Sequence, residues 1–190
     1  NSTRFLTTIF AANHLGAVAM PVNWRLAAAE LAFILEHAQA KVLVADAELV
    51  ALADDALDRV EGEVGRVVAG GSADEWEDFA AVGRGSAPVP RLPAAGDDLH
   101  RLMYTSGTTG HPKGVMISHA NLAWKNYAHV VEFGFTAADV GLACGPLYHV
   151  GALDLVTTTM IAVGATTVIH RTFDAEAVVE EIERSAITLI

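Results

Sequence analysis

The sequence predicts an α/β protein in which mostly parallel sheets are covered by helices. Short apolar and β-branched runs alternate along the chain with segments whose apolar residues recur about every three to four positions. The connections between these segments are short, and such alternation favours parallel strands joined by crossover helices. With 190 residues, 52% of them hydrophobic, the chain can bury a sizeable core.

The first part of the chain follows this alternation from its first residues. Ser2 or Thr3 is a typical helix cap, and the apolar residues after it have helical spacing. Gly16 then ends the helix and a short apolar strand follows. In this part, helices are predicted at residues 3–15, 28–38, 47–60 and 73–82, and strands at 17–22, 41–45 and 66–69.

Residues 83–98 are rich in glycine and proline and predict a linker between a first portion, residues 1–82, and a second, residues 99–190. The second portion is predicted to contain two strands around a loop, helix 118–133, strand 140–144, helix 151–163, strand 166–169, helix 174–184 and strand 186–190. Because no turn or polar tail follows the last strand, we expect an internal piece of a longer polypeptide, truncated at its carboxyl end. The apolar edge of that strand predicts self-association, for example as a homodimer, or dependence on a partner surface.

The most informative segment runs from Tyr104 to His119 and reads YTSGTTGHPKGVMISH. An apolar strand leads into it, and a second apolar run follows Gly114. Glycines let successive backbone N–H groups point inward around an anion, hydroxyls add donors, and a lysine ammonium neutralises phosphate charge. The residues predicted to bind phosphate are Thr105, Ser106, Gly107, Thr108, Thr109, Gly110 and Lys113.

The spacing of this loop excludes two other phosphate-binding motifs. A Walker A loop has glycine before its lysine and Ser or Thr after it, whereas Pro112 and Gly114 flank Lys113. The dinucleotide fingerprint requires a third glycine at a fixed offset, which this loop lacks. Residues 105–114 instead resemble, without a gap, the phosphate loop of the adenylate-forming superfamily of acyl-CoA synthetases, luciferases and peptide-synthetase adenylation domains. The alternative is a glycine-rich surface turn between two strands.

Two further segments carry the same resemblance. Residues 11–23, AANHLGAVAMPVN, are similar to the acyl-CoA synthetase segment upstream of the loop. Residues 145–151, GPLYHVG, resemble the element that borders the carboxylate substrate and the nucleotide, which implies that His149 lies near the reacting carboxylate and that Gly151 lets the next helix approach closely. His149 also follows a predicted strand end, where open α/β sheets bind ligands. The alternative is a histidine that caps or packs under a turn.

Composition excludes several classes of function. The formal charge of −11 argues against a general nucleic-acid or anionic-membrane surface. No apolar run is long enough to span a membrane, and no signal peptide is visible. The single cysteine, Cys144, cannot form an internal disulfide, which is compatible with a cytoplasmic location. The histidines show no zinc-ligand spacing, and the acidic run at 74–78 is typical of a solvated helix face.

The resemblance implies an ATP-dependent acyl-CoA synthetase acting on a small carboxylic acid, in the first place a fatty acid. The carboxylate would attack the α-phosphorus of ATP to give an acyl-adenylate and pyrophosphate, and the thiol of coenzyme A would then take the acyl group. Such chemistry depends on positioning and charge neutralisation. Lys113 and His149 are the implied catalytic residues, Thr105 is the candidate Mg²⁺ ligand, and ATP, Mg²⁺ and coenzyme A are the implied cofactors.

The resemblance also places the chain within the large N-terminal domain of such an enzyme. The family pattern puts the ribose-binding aspartate, the acidic magnesium ligand and the mobile C-terminal lysine beyond residue 190, so the segment alone is expected to be inactive. Two alternatives stay open: an adenylation domain that loads a carrier protein, which shares the loop, and a non-enzymatic nucleotide-binding or scaffold fragment. The form PLYHVG favours the CoA ligases over the carrier-loading domains.

Overall fold

The computed structural model describes residues 1–84, 87–105 and 112–190. These residues form two compact units. The first unit comprises Asn1–Val22, Arg91–Met103 and Val115–Ile190, and the second comprises Asn23–Pro90 and Tyr104–Gly114. The predicted α/β class with parallel strand pairs is confirmed. The predicted division at residues 83–98 stays a prediction.

The second unit is built on a parallel sheet in the order β1 (Val42–Asp46), β2 (Gly65–Ala69) and β3 (Glu77–Asp78). Two helices, α2 (Ala28–His37) and α3 (Val50–Leu57), accompany this sheet, and a 3₁₀ turn (Ala47–Leu49) leads into α3. The helix α2 begins where the Glu30 carboxylate accepts a hydrogen bond from the Ala27 amide at 2.9 Å. The apolar residues that the two helices bury are Leu31, Ala32, Ile34, Leu35, Ala53, Ala56 and Leu57.

Two strands flank the predicted phosphate loop. The strands β4 (Leu99–Thr105) and β5 (Lys113–Ser118) form a two-stranded sheet, which confirms the predicted strand on each side. Ser118 ends β5 and caps the long helix α5 (His119–Phe133): its hydroxyl accepts from the Asn121 amide at 3.1 Å, and the Asn121 side chain accepts from the Ser118 amide at 3.0 Å. The helix predicted at residues 118–133 is therefore confirmed, and Ser118 is its cap.

The remaining elements of the first unit surround a second parallel pair, β6 (Val140–Ala143) and β7 (Thr166–Ile169). Between these strands the chain forms a π-helix (Gly151–Thr158) that continues into α6 (Thr159–Val163). The first helix, α1 (Thr3–His14), starts at the predicted cap Ser2, and α7 (Ala175–Arg184) follows β7. One buried hydrophobic cluster of this unit consists of Leu6, Ile9, Ala19, Ala143, Leu147, Ala152 and Leu153.

A glycine in β6 permits the closest helix approach in this part of the unit. A Cβ atom at Gly141 would lie 2.7 Å from Cγ of Met160 and 2.9 Å from Cγ1 of Val156, so a larger residue would displace the helix. The close approach expected at Gly151 is wrong. A Cβ atom there would meet Nδ1 of His149 at 3.6 Å, which is ordinary van der Waals contact.

Four predicted elements differ in the structure. The helix expected at residues 73–82 is replaced by β3 and the short α4 (Phe79–Val82). The cause is tertiary, because the buried Trp76 donates its indole N–H to Asp54 at 3.0 Å and the chain after it pairs with β2. The strands expected at 17–22 and 186–190 are reduced to single parallel bridges, Ala19 with Arg101 and Leu189 with Gly141. Residues 151–163 are helical as predicted, but begin as a π-helix.

Candidate active site

Thr105 and Lys113 lie at the two ends of the predicted phosphate loop. Thr105 is the last residue of β4 and Lys113 the first of β5, and both side chains are exposed. Because these strands belong to one sheet, both ends of the loop have the same rigid support. The other residues predicted to bind phosphate lie outside the described residues, so their role stays a prediction: Ser106, Gly107, Thr108, Thr109 and Gly110.

Tyr104 fixes the entrance to this loop within the second unit. Its hydroxyl and Nδ1 of His37, the last residue of α2, form a hydrogen bond of 2.6 Å. Burial raises the pKa of the Tyr104 phenol, so the hydroxyl keeps its proton. A Cβ atom at Gly114 would lie 3.1 Å from Cζ of the Tyr104 ring. The tyrosine ring therefore lies against the residue that follows Lys113.

The described loop ends suit an anionic ligand better than a metal ion alone. Lys113 presents an ammonium group that is exposed and that takes part in no ion pair between described residues. Over the same residues, no group of three or more His, Cys, Asp or Glu side chains is placed to hold a metal. Thr105 offers one hydroxyl oxygen, which fits a Mg²⁺ that takes most of its other ligands from phosphate and water.

His149 is presented by a turn at the end of β6 in the first unit. Its amide donates to the carbonyl of Pro146 at 3.0 Å, and its own carbonyl accepts from the Leu153 amide at 3.1 Å. The ring is exposed, and its Nδ1 accepts from the amide of Gly151 at 3.3 Å. A neutral imidazole that accepts at Nδ1 carries its proton on Nε2. His149 thus caps the π-helix locally and still offers an N–H donor.

Asn1 supports the segment that carries His149. Its side-chain amide donates to the carbonyls of Gly145 at 2.7 Å and His170 at 3.0 Å, and its carbonyl oxygen accepts from the Leu147 amide at 2.9 Å. One side chain thereby satisfies three backbone groups around a turn that contains a proline and has no sheet partner of its own. This support fixes the backbone just before His149.

A buried charged pair lies below the π-helix in the first unit. The guanidinium of Arg101, in β4, donates to the carboxylate of Asp154 in the π-helix, and both side chains are nearly inaccessible. Nη1 of Arg101 also lies 3.3 Å from Nδ1 of His100, which must accept because a guanidinium has no acceptor. Burial, reinforced by the charges of Arg101 and then His119, lowers the pKa of His100 to about 4. His100 is therefore neutral at physiological pH.

Lys125 extends this network from α5. Its ammonium lies within hydrogen-bond distance of four acceptors, which its three N–H groups share: the backbone carbonyl of Asp154, the side-chain oxygen of Asn126, and the hydroxyls of Thr158 at 3.0 Å and Thr159 at 3.1 Å. Burial lowers the pKa of Lys125 to about 8, against the opposing attraction of Asp154. The network joins β4, α5 and the π-helix through groups that face the interior.

The structure places Thr105 and Lys113 in the second unit and His149 in the first. Within these units, the contacts around the predicted site segments involve residues that the sequence motifs do not predict: His37, Tyr104, Asn1, Arg101, Lys125 and Asp154. A signal for two of these was available in the sequence. Arg101 and Asp154 interrupt apolar runs, and a charge at a buried position must find a partner.

A profile of AMP-binding enzymes matches residues 1–190. The chain belongs to the AMP-binding enzyme family. Over its whole length it is 39% identical to the indoleacetate–CoA ligase of Aromatoleum aromaticum and 35% identical to a feruloyl-CoA synthase of an Amycolatopsis species, covering 37% and 36% of those proteins. The long-chain-fatty-acid–CoA ligase of Archaeoglobus fulgidus has a similar solved structure, with a TM-score of 0.87 and 30% identity over 99% of this chain and 37% of that one.

As a member of the AMP-binding family, the chain spans little more than a third of the length of these CoA ligases. The match confirms the resemblance to adenylate-forming acyl-CoA synthetases that the loop and the GPLYHVG element indicate. Across the described part of the chain, no helix combines the length and the apolar character needed to cross a membrane. The cytoplasmic location, the homodimer and the bound Mg²⁺ stay predictions.

Proposed function

We propose that this chain is the nucleotide-binding portion of an ATP-dependent acid–thiol ligase that produces an acyl-CoA thioester. The observation that carries the proposal is the strand-supported loop with the exposed Lys113 at its end, in a chain of the AMP-binding family. The relatives reported above are CoA ligases, which favours coenzyme A over a carrier protein as the acyl acceptor.

The first half-reaction forms the acyl-adenylate. A carboxylate oxygen of the acid forms a bond to the α-phosphorus of ATP, and the bond between that phosphorus and the bridging oxygen breaks to release pyrophosphate. Lys113 and the loop 105–110 bind the phosphates and offset the charge that shifts to the leaving group. Mg²⁺, when bound, neutralises further phosphate charge, and Thr105 is the residue proposed to ligate it.

His149 is proposed to act on the acid. Its Nε2–H can donate to a carboxylate oxygen and hold the other oxygen towards the phosphorus, which is a positioning effect. In the second half-reaction the sulfur of coenzyme A attacks the acyl carbon, the thiol proton is lost, and AMP leaves with both electrons of the cleaved acyl–oxygen bond. The chain provides the same His149 donor for the acyl oxygen at that stage.

The acid is proposed to be apolar. The sequence resemblance favours a fatty acid, whereas the two relatives named above are an indoleacetate–CoA ligase and a feruloyl-CoA synthase, so an aryl acid is the second candidate. Acid-dependent pyrophosphate release by the full-length protein, measured with matched fatty and aryl acids and with coenzyme A present, separates the two. Release that depends on an added carrier protein rather than coenzyme A would contradict the acceptor assignment.

The test of the phosphate site is the substitution Lys113→Ala in the full-length protein. Hydrogen bonds to charged groups contribute about 1.5–3 kcal/mol, so we expect the ATP–pyrophosphate exchange rate to fall roughly ten- to hundredfold. The unfolding midpoint in urea should stay unchanged because Lys113 is exposed. Lys41→Ala is the matched control, since Lys41 is an exposed lysine of the same unit. Exchange by Lys113→Ala at the unaltered rate would remove Lys113 from the site.

A further inference from the structure

The helix that follows His149 is wider than an α-helix. Residues Gly151–Thr158 form a π-helix of two turns, directly after the turn that presents His149. Such widened segments are rare because an α-helix of the same residues would be more stable. Where they occur, they are frequently found at functional sites. A π-helix of this length therefore requires contacts that hold it open.

Side chains supply those contacts at the carbonyl of Asp154. This oxygen accepts from the Lys125 ammonium and from the hydroxyls of Thr159 at 3.1 Å and Thr158 at 3.3 Å. A similar bond joins the Thr157 hydroxyl to the carbonyl of Ala152 at 2.7 Å. The carbonyls of Ala152 and Asp154 are thus bound by side chains, and the only cation among these donors is Lys125.

The same residue is held on its other side by Arg101. The carboxylate of Asp154 pairs with the guanidinium of Arg101 in β4, and its carbonyl accepts from the ammonium of Lys125 in α5. Two neighbouring elements therefore bind one residue of the π-helix. Buried charge of this kind adds little net stability, because desolvation offsets most of the attraction, but it demands a specific geometry. The network is therefore better suited to fixing an orientation than to strengthening the core.

The orientation that it fixes is that of the first turn. The carbonyl of His149 accepts from the Leu153 amide, so His149 belongs to the hydrogen-bond pattern of this helix. If the widened turn around Asp154 closed to α-helical spacing, the preceding turn would rotate by about 100° per residue of slippage. We propose that Lys125 is a positioning residue that keeps the π-helix open and thereby holds His149 in the orientation in which it binds the acid.

This inference rests on the proposed function, and its test is Lys125→Met in the full-length protein, which keeps the length of the side chain and removes the ammonium. We expect kcat/KM for the acid to fall about ten- to hundredfold in pyrophosphate exchange, while KM for ATP changes by less than about twofold. Lys125→Arg, which retains the cation, should recover part of the loss. Lys41→Met is the control for lysine removal at an exposed position.

A second variant keeps the test independent of folding. Thr159→Val is nearly isosteric and removes one hydroxyl that binds both Lys125 and the Asp154 carbonyl, so we expect a smaller loss of the same acid-specific kind. Parallel changes in KM for acid and ATP, or an unchanged kcat/KM for the acid in both folded variants, would overturn the inference and leave the proposed function intact. Absence of acid-dependent exchange in the unaltered protein would overturn the proposed function and this inference with it.

Discussion

At the scale of single residues, the two ring nitrogens of His149 have separable roles. Nδ1 accepts from the Gly151 amide, whereas Nε2 carries the proton that we assign to the acid. His149→Asn places a side-chain oxygen near the position of Nδ1 and removes the Nε2 donor, while His149→Ala removes both. Comparing the two substitutions distinguishes substrate binding from helix capping.

We expect both variants to raise KM for the acid about tenfold and to change KM for ATP little, because one hydrogen bond to a charged group is lost in each. His149→Ala should also lower the free energy of unfolding by about 1 kcal/mol, and His149→Asn should not. Steady-state kinetics with each substrate varied in turn, together with urea unfolding, checks both points. Full activity of His149→Asn would assign the histidine to capping alone.

His100 predicts a loss of stability in mild acid. Its pKa is about 4 in the folded protein and about 6.5 when unfolded, so the unfolded chain binds more protons between these values. Stability that is present above pH 6.5 is therefore lost as the pH falls towards 4, by about 2 kcal/mol between pH 7 and pH 5. Urea unfolding of the full-length protein at both pH values measures it.

The matched substitution is His100→Asn, whose side-chain oxygen can still accept from Arg101 but does not titrate in this range. We expect it to flatten the pH dependence of unfolding by that amount. The exposed His149→Asn variant serves as the control and should retain the full slope. Equal slopes for both variants and the unaltered protein would show that His100 is not the group responsible.

Residue types in a local pattern predict Lys113, Thr105 and His149 as candidate site residues, and these roles stay predictions. The residues that support these segments could not be predicted, because their contacts join distant parts of the chain. Arg101 and Asp154 are separated by 53 residues, and Asn1 and Leu147 by 146. A single sequence shows that a buried charge needs a partner, but the partner depends on which elements the fold brings together. Local motifs therefore identify candidate ligand-binding residues, but they do not identify the distant residues that orient them.

At the scale of elements, the contact at Gly141 sets how closely the helix after His149 packs on β6. Gly141→Ala would place Cβ within 3 Å of Met160 and Val156, and overpacking of this kind costs about 1–3 kcal/mol. We expect the free energy of unfolding to fall by that amount. Gly83→Ala is the control, because a Cβ atom there would meet nothing within 4 Å, and it should change stability by less than about 0.5 kcal/mol.

The elements that sequence predicts best are those with strong local signals. The helices α1 and α5 begin at the caps Ser2 and Ser118, as their hydroxyls indicate, and the parallel pairing follows from the alternation of elements. The helix predicted at 73–82 was wrong, because burial of Trp76 and strand pairing with β2 outweighed the local helical pattern. The π-helix has no such local signal, since side chains from α5 and β4 hold it open.

At the scale of the whole molecule, the share of a complete ligase that this chain spans predicts that the isolated chain is inactive. The chain spans 37% of the indoleacetate–CoA ligase, and transition-state stabilisation requires a closed site with contacts around the reacting centre. We expect the isolated chain to bind ATP weakly at best and to release no pyrophosphate in an acid-dependent way. A coupled pyrophosphate assay with fatty and aryl acids, with the full-length protein as control, decides this. Turnover by the isolated chain would show that the described elements suffice.

The contact between Tyr104 and Gly114 bears on how such loops vary among sequences. Lys113 is the proposed phosphate ligand, whereas its neighbour Gly114 is small because a Cβ atom there would lie 3.1 Å from the tyrosine ring. The dipeptide Lys-Gly therefore meets two constraints. The lysine is set by the proposed contact with phosphate, and the glycine is set by the space that the Tyr104 ring leaves. We expect positions 104 and 114 to covary. Chains with a small residue in place of the tyrosine can carry alanine or serine after the lysine. A search pattern that requires glycine at that position would miss such chains.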